Sequence, residues 1–535
     1  MCSYNSLNGV PTCGNKGLLT TVLRDTFQWD GFVVSDYDAW ANIVDTHHFN
    51  ATMEAGAAQG LNAGMDQEGG GSKAISQLLP AIEHGLTTPA EVARAFRNLF
   101  RLRIRLGMLD PPTSVSYNAL RYNATELAAN TAHLGVARKA AMELMTLLEN
   151  KHGTLPLDDA KVGKLAVIGP QANVSGVLFG NYAGSANSAN WGDSIEAALR
   201  KRLSSGLVTR VPGLDTIGAP SSSDGFKAAA AAAAAADATV VVLGLAFDHY
   251  CTGADDGLGD YCEREGLDRR VIELPLGQQS MVAALRAAMP RATPLICLLI
   301  HGGAIALGNA TLGACDAVLD AWYPGIEGGT AVAATIFGDV SPAGRTPVTF
   351  YRATADLPPI TRMGLYANAS VGSRGITYRY FEGEPLYPFG HGLSYTTFAY
   401  SGLALAASHA ACDTVGVTVT VTNTGRVASD EVVQVYLKQP EATVPAPRVR
   451  LGAFQRVRNL APGAAQTVTL TVPAEARAVV HGGDATGEGI YAASASLVLE
   501  KGRIEVYVGG GQPDHYQRHL AATTTITETK RASAC

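Results

Sequence analysis

Asp36 is the side chain in this sequence best placed to do chemistry. It ends the segment Gly31–Asp36, in which a short run of apolar, β-branched residues is bounded by turn residues. Such a run without alternation predicts a buried parallel strand. In a β/α barrel, catalytic side chains lie at the carboxyl ends of these strands. A simpler interpretation is that Asp36 only caps the helix that follows.

A second acidic stretch, Cys262–Arg269, contains Glu263 and Glu265. It follows the apolar run Val240–Leu245, which predicts another buried strand, and a loop rich in Gly and Asp, His249–Tyr261. In open α/β sheets, ligands bind at the carboxyl ends of the strands, which favours a functional role for these acids. The simpler interpretation is a solvated run of charges that begins a helix.

Two carboxylates in separate parts of the chain predict cleavage of a glycosidic bond. That reaction needs a nucleophile or base on one side of the bond and a proton donor on the other. The donor must keep its proton near neutral pH, which requires burial or a nearby negative charge. We therefore expect Asp36 and an acid from Glu263–Glu265 to meet across a domain boundary at one sugar-sized cleft.

Three regions of different patterning must position these acids. Residues 1–110 alternate strand and helix signals, with about three such units against the eight of a closed barrel, and predict the C-terminal part of a (β/α)8 barrel. Residues 138–350 repeat helix and buried strand and predict an open α/β sandwich domain. Residues 398–535 begin with strict alternation at Val415–Val421 and predict a β-sandwich. Residues 111–137 and 351–397 are predicted linkers. Individual elements include helices at Leu134–Glu149 and Ala228–Ala236, and strands at Leu295–Ile300, Ala317–Trp322 and Thr523–Thr529.

Composition excludes several classes of protein. The chain has 535 residues, 47% of them hydrophobic, and a formal net charge of −6, which indicates a folded multidomain protein. It has no dense Lys/Arg run, so we expect no nucleic-acid partner. Its apolar stretches are too short or too interrupted to span a bilayer, and its first residues do not resemble a signal peptide. The pair His47–His48 is a poor metal site because adjacent residues on a helix point in different directions.

Eight cysteines and five glycosylation sequons favour an oxidising compartment. The cysteines include three close pairs, Cys2 with Cys13, Cys251 with Cys262, and Cys297 with Cys315. None has the C-x-x-C spacing of a zinc site, whereas pairs that bracket loops fit disulfides. The sequons begin at Asn50, Asn123, Asn173, Asn309 and Asn368.

The sequence resembles glycoside hydrolase family 3, in particular its β-xylosidase/α-L-arabinofuranosidase branch. The stretches that carry the resemblance, in family order, are Met1–Asn5, Asn8–Cys13, Gly31–Asp36, Ala63–Asp66, Leu155–Leu157, Gly180–Gly184, Glu263–Arg269, Tyr323–Gly329, Pro342–Thr349 and Tyr387–Tyr395. The resemblance implies a β/α barrel, an α/β sandwich and a C-terminal fibronectin type III-like domain. It also implies that no metal or organic cofactor is needed.

The resemblance assigns roles to particular residues. Asp36 is the implied nucleophile, and Tyr4 is the tyrosine expected beside it. Glu265 fits the acid/base of the family best, with Glu263 as a close rival. Two further positions, Tyr37 and Asp66, are expected to line the sugar site.

The implied activity is that of a retaining, exo-acting glycosidase, a β-xylosidase that also cleaves arabinofuranosides. Its substrate would be an oligosaccharide or a xylan-derived chain, and the full-length protein would be secreted, lysosomal or vacuolar. The sequence differs from the family pattern in one respect that favours other interpretations. Family members have several barrel units before the strand that ends at Ser3–Asn5. We therefore expect a truncated chain, and two alternatives stay open, a β-glucosidase of the same family and a non-catalytic, carbohydrate-binding or degenerate paralogue.

Overall fold

The computed structural model describes residues 1–120, 123, 126, 130–183, 192–217, 223–246, 262–263, 265, 269–362, 364–482, 495–516 and 518–535. The chain forms two compact units, Met1–Ala124 and Thr125–Cys535. Within the described residues, no helix combines the length and the apolar composition that crossing a bilayer requires.

The first unit alternates short strands and helices. Its strands are β1 (Ser6–Leu7), β2 (Val10–Pro11), β3 (Val34–Tyr37) and β4 (Gln67–Gly69), and its helices are a π-helix (Gly17–Thr26), α1 (Asn42–Asp45), α2 (Met53–Ala63), α3 (Leu78–Glu83) and α4 (Pro89–Arg105). Strand β3 runs parallel to β4, and on its other side Ser35 forms a parallel bridge with Cys2. Parallel strands linked by helices are the arrangement predicted for part of a β/α barrel.

Helix α2 shows why this unit folds as it does. The Thr52 hydroxyl caps its first turn by accepting from the Ala55 amide at 3.2 Å, and Gly64 ends it in the left-handed conformation at φ 119°. Its inner face packs on the wholly buried Trp40. A Cβ at Gly60 would lie 2.1 Å from the indole Nε1 of Trp40, so this close approach needs glycine.

The second unit contains a six-stranded sheet in the order β5-β10-β9-β8-β6-β7. Its strands are β5 (Thr146–Asn150), β6 (Lys164–Ile168), β7 (Leu207–Val211), β8 (Ala238–Gly244), β9 (Leu295–Ile300) and β10 (Ala317–Asp320), and the helices around it are α5 (Thr131–Leu144), α6 (Ile195–Arg202), α7 (Ser223–Ala234), α8 (Leu276–Ala288), α9 (Asn309–Ala314) and α10 (Gly328–Ile336). All strands are parallel except β5. Every residue of β8 and β9 is buried, as expected for a sheet covered on both faces.

One element of this domain corrects a sequence prediction. The helix expected over Leu134–Glu149 ends at Leu144, and Thr146–Asn150 is the antiparallel edge strand. The apolar residues Leu147 and Leu148 continue the helical spacing of the sequence. They are nevertheless buried in the two different cores on opposite faces of the sheet, which requires the strand period of two.

A segment with little regular structure leads to the C-terminal β-domain. It contains β11 (Ala367–Asn368), β12 (Ser373–Arg374) and α11 (Thr377–Tyr380). The β-domain then contains β13 (Phe398–Ala404), β14 (Ser408–His409), β15 (Val415–Asn423), β16 (Ser429–Lys438), β17 (Arg450–Leu460), β18 (Ala465–Val472), β19 (Val479–His481), β20 (Ser496–Leu499), β21 (Gly502–Gly509), β22 (His519–Ile526) and β23 (Lys530–Arg531).

Two main sheets form this β-domain, in the orders β13-β15-β18 and β14-β22-β21-β16-β17. The alternation predicted at Val415–Val421 is confirmed, since Val417, Val419 and Val421 are wholly buried. The strand expected at Thr523–Thr529 corresponds to β22. It begins earlier, at His519, and ends at Ile526, and it pairs with β21 along its whole length. The predicted fold class, a partial β/α barrel, an α/β domain and a β-sandwich, is therefore confirmed.

Each of the three regions contains a disulfide. The predicted pairs Cys2–Cys13 and Cys297–Cys315 are formed, whereas Cys251 lies outside the described residues. A third disulfide, Cys412–Cys535, ties the C-terminus to the residues before β15. The sequence analysis considered only closely spaced cysteines, and these two are 123 residues apart, so this pair was not predicted.

Candidate active site

Asp36 lies at the carboxyl end of the central strand of the first unit. Its amide donates to the Cys2 carbonyl at 3.0 Å, which holds β3 against the first residues of the chain. Its Oδ1 accepts from the Tyr37 amide at 2.8 Å, and the residue is half-buried. The carboxylate is therefore oriented by a backbone donor while part of it stays open to a ligand.

Tyr4 and Tyr37 leave the same edge of this sheet. Cys2 bridges Ser35 in parallel register, so the two tyrosines stand two residues beyond the bridge on neighbouring segments. The Tyr37 side chain is 71% exposed and that of Tyr4 41%. His47 Nε2 lies 2.7 Å from the Tyr4 carbonyl oxygen and secures the backbone there. The sugar-site roles expected for the two tyrosines stay predictions.

Asp66 is held by side-chain and backbone donors. Its side chain is wholly buried, and Oδ2 accepts from Arg24 Nη2 at 2.6 Å and from the Val33 amide at 2.8 Å. Oδ1 accepts from Arg94 Nη1 at 2.7 Å and from Asn98 Nδ2 at 3.1 Å. Four donors saturate the carboxylate and hold it inside the first unit, and the sugar-binding role expected for Asp66 stays a prediction.

Glu263 lies in a cradle made by the loops that follow β9 and β10. Its two oxygens accept from the Gly302 amide at 2.5 Å and the Gly303 amide at 2.8 Å. The Tyr323 hydroxyl donates to it at 2.9 Å, and Arg269 Nη2 lies 3.4 Å away. These contacts hold both oxygens of the Glu263 carboxylate in place.

Glu265 follows two residues later and is exposed. Arg264 and the residues 266–268 lie outside the described residues, Asp268 among them. Of the two predicted acids, Glu265 is therefore the one that is free to meet solvent or a substrate.

Sequence reasoning missed two buried residues beneath the Glu263 cradle. His301 directly follows β9, Asp320 ends β10, and both side chains are wholly buried. His301 Nε2 lies 3.2 Å from Asp320 Oδ1. Burial lowers the pKa of His301, but the charges of Asp320 and Glu263 outweigh it, so the pKa is raised. The signal in the sequence was a polar residue directly after each apolar run.

The described residues contain no cluster of three or more His, Cys, Asp or Glu side chains that could hold a metal ion.

A β/α-barrel portion, an α/β sandwich and a fibronectin type III-like domain define a class of multidomain glycosyl hydrolases. The chain belongs to glycoside hydrolase family 3. Residues 1–102 match the N-terminal domain of that family, residues 145–395 match its C-terminal domain, and residues 431–512 match a fibronectin type III-like domain.

Similar curated proteins are named as xylosidases. The probable exo-1,4-beta-xylosidase bxlB of Aspergillus terreus is 34% identical over 506 residues, which cover 90% of this chain and 61% of that protein. Beta-D-xylosidase 1 of Arabidopsis thaliana is 32% identical over 89% of this chain and 62% of its own length. Beta-xylosidase/alpha-L-arabinofuranosidase 2 of Medicago sativa subsp. varia is 32% identical over 85% of this chain and 59% of its own length. The chain thus spans about three-fifths of the length of these relatives.

Solved structures of two glycosidases superpose on nearly the whole chain. The exo-beta-xylosidase XlnD, in complex with a xylobiose aziridine probe, superposes with a TM-score of 0.84 at 28% identity and covers 99% of this chain and 66% of that one. The beta-glucosidase of Listeria innocua in complex with isofagomine superposes with a TM-score of 0.78 at 25% identity, over 98% of this chain and 66% of its own.

Proposed function

We propose that the protein is a retaining, exo-acting β-xylosidase that releases xylose from the non-reducing ends of xylan-derived oligosaccharides. The family to which the chain belongs and the names of its relatives support this substrate class. The observation that carries the proposal is the half-buried Asp36 carboxylate at the carboxyl end of β3, where barrel enzymes keep their catalytic groups.

In the proposed reaction Asp36 is the nucleophile. Its carboxylate attacks the anomeric carbon and forms a covalent glycosyl-enzyme as the bond to the leaving oxygen breaks. Water then attacks the same carbon from the face that the leaving group vacated. The Asp36 carboxylate is released, and two inversions leave the anomeric configuration unchanged.

Glu265 is the proposed acid/base. It would protonate the leaving oxygen in the first step and take a proton from water in the second. Glu263 is the weaker candidate, because two backbone amides and the Tyr323 hydroxyl already point their hydrogens at its oxygens.

Asp36→Asn tests the nucleophile, with Asp38→Asn as the matched control two residues away on the same turn. On 4-nitrophenyl β-D-xyloside we expect Asp36→Asn to lower kcat by about 10⁴-fold or more. Asp38 is exposed, and we expect its variant to stay close to the parent. Undiminished hydrolysis by Asp36→Asn would exclude the mechanism.

The same assay with other sugars tests two related activities. The beta-glucosidase structures favour a test of 4-nitrophenyl β-D-glucoside, and the Medicago relative favours the α-L-arabinofuranoside. The exposed Tyr37 directly follows Asp36 and is the residue that we expect to influence the choice of sugar. A kcat/KM for the glucoside above that for the xyloside would replace the proposed substrate.

We also propose that the protein works in the secretory pathway, outside the cell or in a lysosome or vacuole. Three disulfides in three different regions support an oxidising compartment. Among the sequons, Asn123, Asn173 and Asn309 are exposed and are the proposed glycan sites. Removal of N-glycans with an amidase should increase the gel mobility of protein from a eukaryotic host, and replacement of all three asparagines by Gln should abolish the shift.

A further inference from the structure

A buried ion pair lies directly under the Glu263 cradle. His301 Nδ1 lies 2.7 Å from the carbonyl oxygen of Gly303, and Nε2 lies 3.2 Å from Asp320 Oδ1. The same Asp320 oxygen accepts from the Trp322 amide at 3.0 Å. The pair therefore ties the loop after β9 to the loop after β10.

Those two loops also provide every donor of the cradle except Arg269. Gly302 and Gly303 donate their amides from the first loop, and Tyr323 donates its hydroxyl from the second. The space is tight. A Cβ at Gly302 would lie 2.8 Å from Tyr323 Cε2, and one at Gly303 would lie 2.6 Å from Arg269 Nη2. The cradle thus works only if the Gly302–Gly303 peptide keeps its orientation.

We propose that the His301–Asp320 pair is a positioning device for the acid/base segment. It fixes the Gly302–Gly303 peptide so that both amides hold Glu263, and Glu263 in turn sets the place of Glu265 two residues later. This inference depends on the proposed role of Glu265.

The environment explains why a charged pair suits this task. His301 lies 5.0 Å from the Trp322 ring and 6.1 Å from the Phe350 ring, centroid to centroid, and the side chains of the pair are wholly buried. Opposite charges attract each other more strongly in such a site than in water. The rigid His301 ring places Nδ1 against the Gly303 carbonyl and Nε2 3.2 Å from Asp320 Oδ1, where the contact is one between charges without hydrogen-bond geometry.

Leaving-group dependence separates positioning from general damage to the fold. Hydrolysis of xylobiose needs a proton on the leaving oxygen. The dinitrophenolate of a 2,4-dinitrophenyl xyloside departs without one. We expect His301→Gln and Asp320→Asn each to lower kcat/KM for xylobiose by about 10²-fold, the lower end of what a general acid contributes. The value for the dinitrophenyl substrate should fall less than about threefold. His391→Gln is the matched control, because His391 is a partly buried histidine of the same unit that contacts the Leu148 carbonyl at 2.9 Å instead of the cradle.

Hydrogen exchange provides a readout without any turnover. In His301→Gln, peptides that cover 300–304 and 262–270 should exchange faster than in the parent, while peptides from β16 should not change. Equal losses on both substrates, no loss on either, or unchanged exchange in those two peptides would overturn the inference. Failure of the parent to hydrolyse any xyloside would instead refute the proposed function, and the exchange measurement would still decide whether the pair positions Glu263.

Discussion

Asp66 and Arg94 form an ion pair of 2.7 Å in which the carboxylate is wholly buried. Arg24 approaches the other oxygen of Asp66 at 2.6 Å, so one acid joins the π-helix, helix α4 and the residue before β4. Its neighbour in space, Val33, leads into β3 and donates its amide to the same carboxylate. Asp66 therefore supports the strand that carries Asp36.

We predict that Asp66→Ala destabilises the first unit by about 3–5 kcal/mol, because it leaves two guanidinium groups without their buried partner. The control is Asp45→Ala. Asp45 pairs with Lys73 at 2.6 Å, but the two side chains are 39% and 59% exposed, so we expect a loss of about 0–1 kcal/mol. Urea unfolding measures both. A variant at Asp66 with parental stability and a raised KM for xylosides would support the sugar-binding role instead.

The stability of the α/β domain should fall in acid because of His391. Burial lowers the pKa of His391, and the nearby charge of Arg345 lowers it further, while the Leu148 carbonyl and Glu149 oppose the shift. The ring stacks on Tyr387 with centroids 5.4 Å apart. A histidine with a lowered pKa is neutral when folded, so its contribution is complete above the unfolded value of 6.5 and is lost as pH falls through the folded value.

We therefore expect the free energy of unfolding to decrease as the pH falls below about 6.5. His391→Gln should flatten that decrease, whereas a substitution of the exposed His133 by Gln should not. Denaturant titrations at several pH values between neutral and acid test this. A parental acid slope in His391→Gln would show that other groups cause it.

Glu431 joins the β-domain to the α/β domain through buried polar contacts. Arg345 Nη2 lies 2.9 Å from it, and the Tyr400 hydroxyl donates to its other oxygen at 2.5 Å. We predict that Glu431→Ala costs about 3–5 kcal/mol, since Arg345 would stay buried without a partner. Glu528→Ala removes an exposed pair with Lys530 and should cost at most about 1 kcal/mol. Equal losses in calorimetry would contradict the buried role.

Local sequence patterns predicted the elements that are buried along their whole length. The run Leu295–Ile300 is buried along its whole length, so it reads as a strand without further information. Thr146–Asn150 was predicted as helix because its leucines continue a helical spacing. Only the partner strand β10, about 170 residues away, makes it a strand.

The roles of the acids depend on partners that spacing does not reveal. Asp66 and Asp36 both follow apolar segments, but the donors that saturate Asp66 come from Arg24 and Arg94, which are 42 and 28 residues away. Glu263 and Glu265 are equivalent candidates in the sequence. What separates them is Gly302–Gly303, about 40 residues later, which occupies one acid and leaves the other exposed.

That difference gives the sharpest prediction for the candidate site. Glu265→Gln should lower kcat for xylobiose by about 10²–10⁴-fold with little change in stability, because it removes a proton donor from an exposed position. Glu263→Gln replaces an oxygen acceptor by an amide donor opposite the Gly302 or Gly303 N–H, which breaks a hydrogen bond to a charged group in the cradle. It should cost about 1–3 kcal/mol in urea unfolding.

The two variants are thus expected to differ. Glu265→Gln removes the proposed proton donor, whereas Glu263→Gln weakens the cradle that positions it. The pH profile of kcat/KM makes the assignment independent of stability. The limb due to the general acid should vanish in Glu265→Gln and persist in Glu263→Gln, since only an ionising donor produces such a limb. If the limb instead vanishes in Glu263→Gln while Glu265→Gln keeps it, the cradle holds the catalytic acid, and Glu265 is a surface residue.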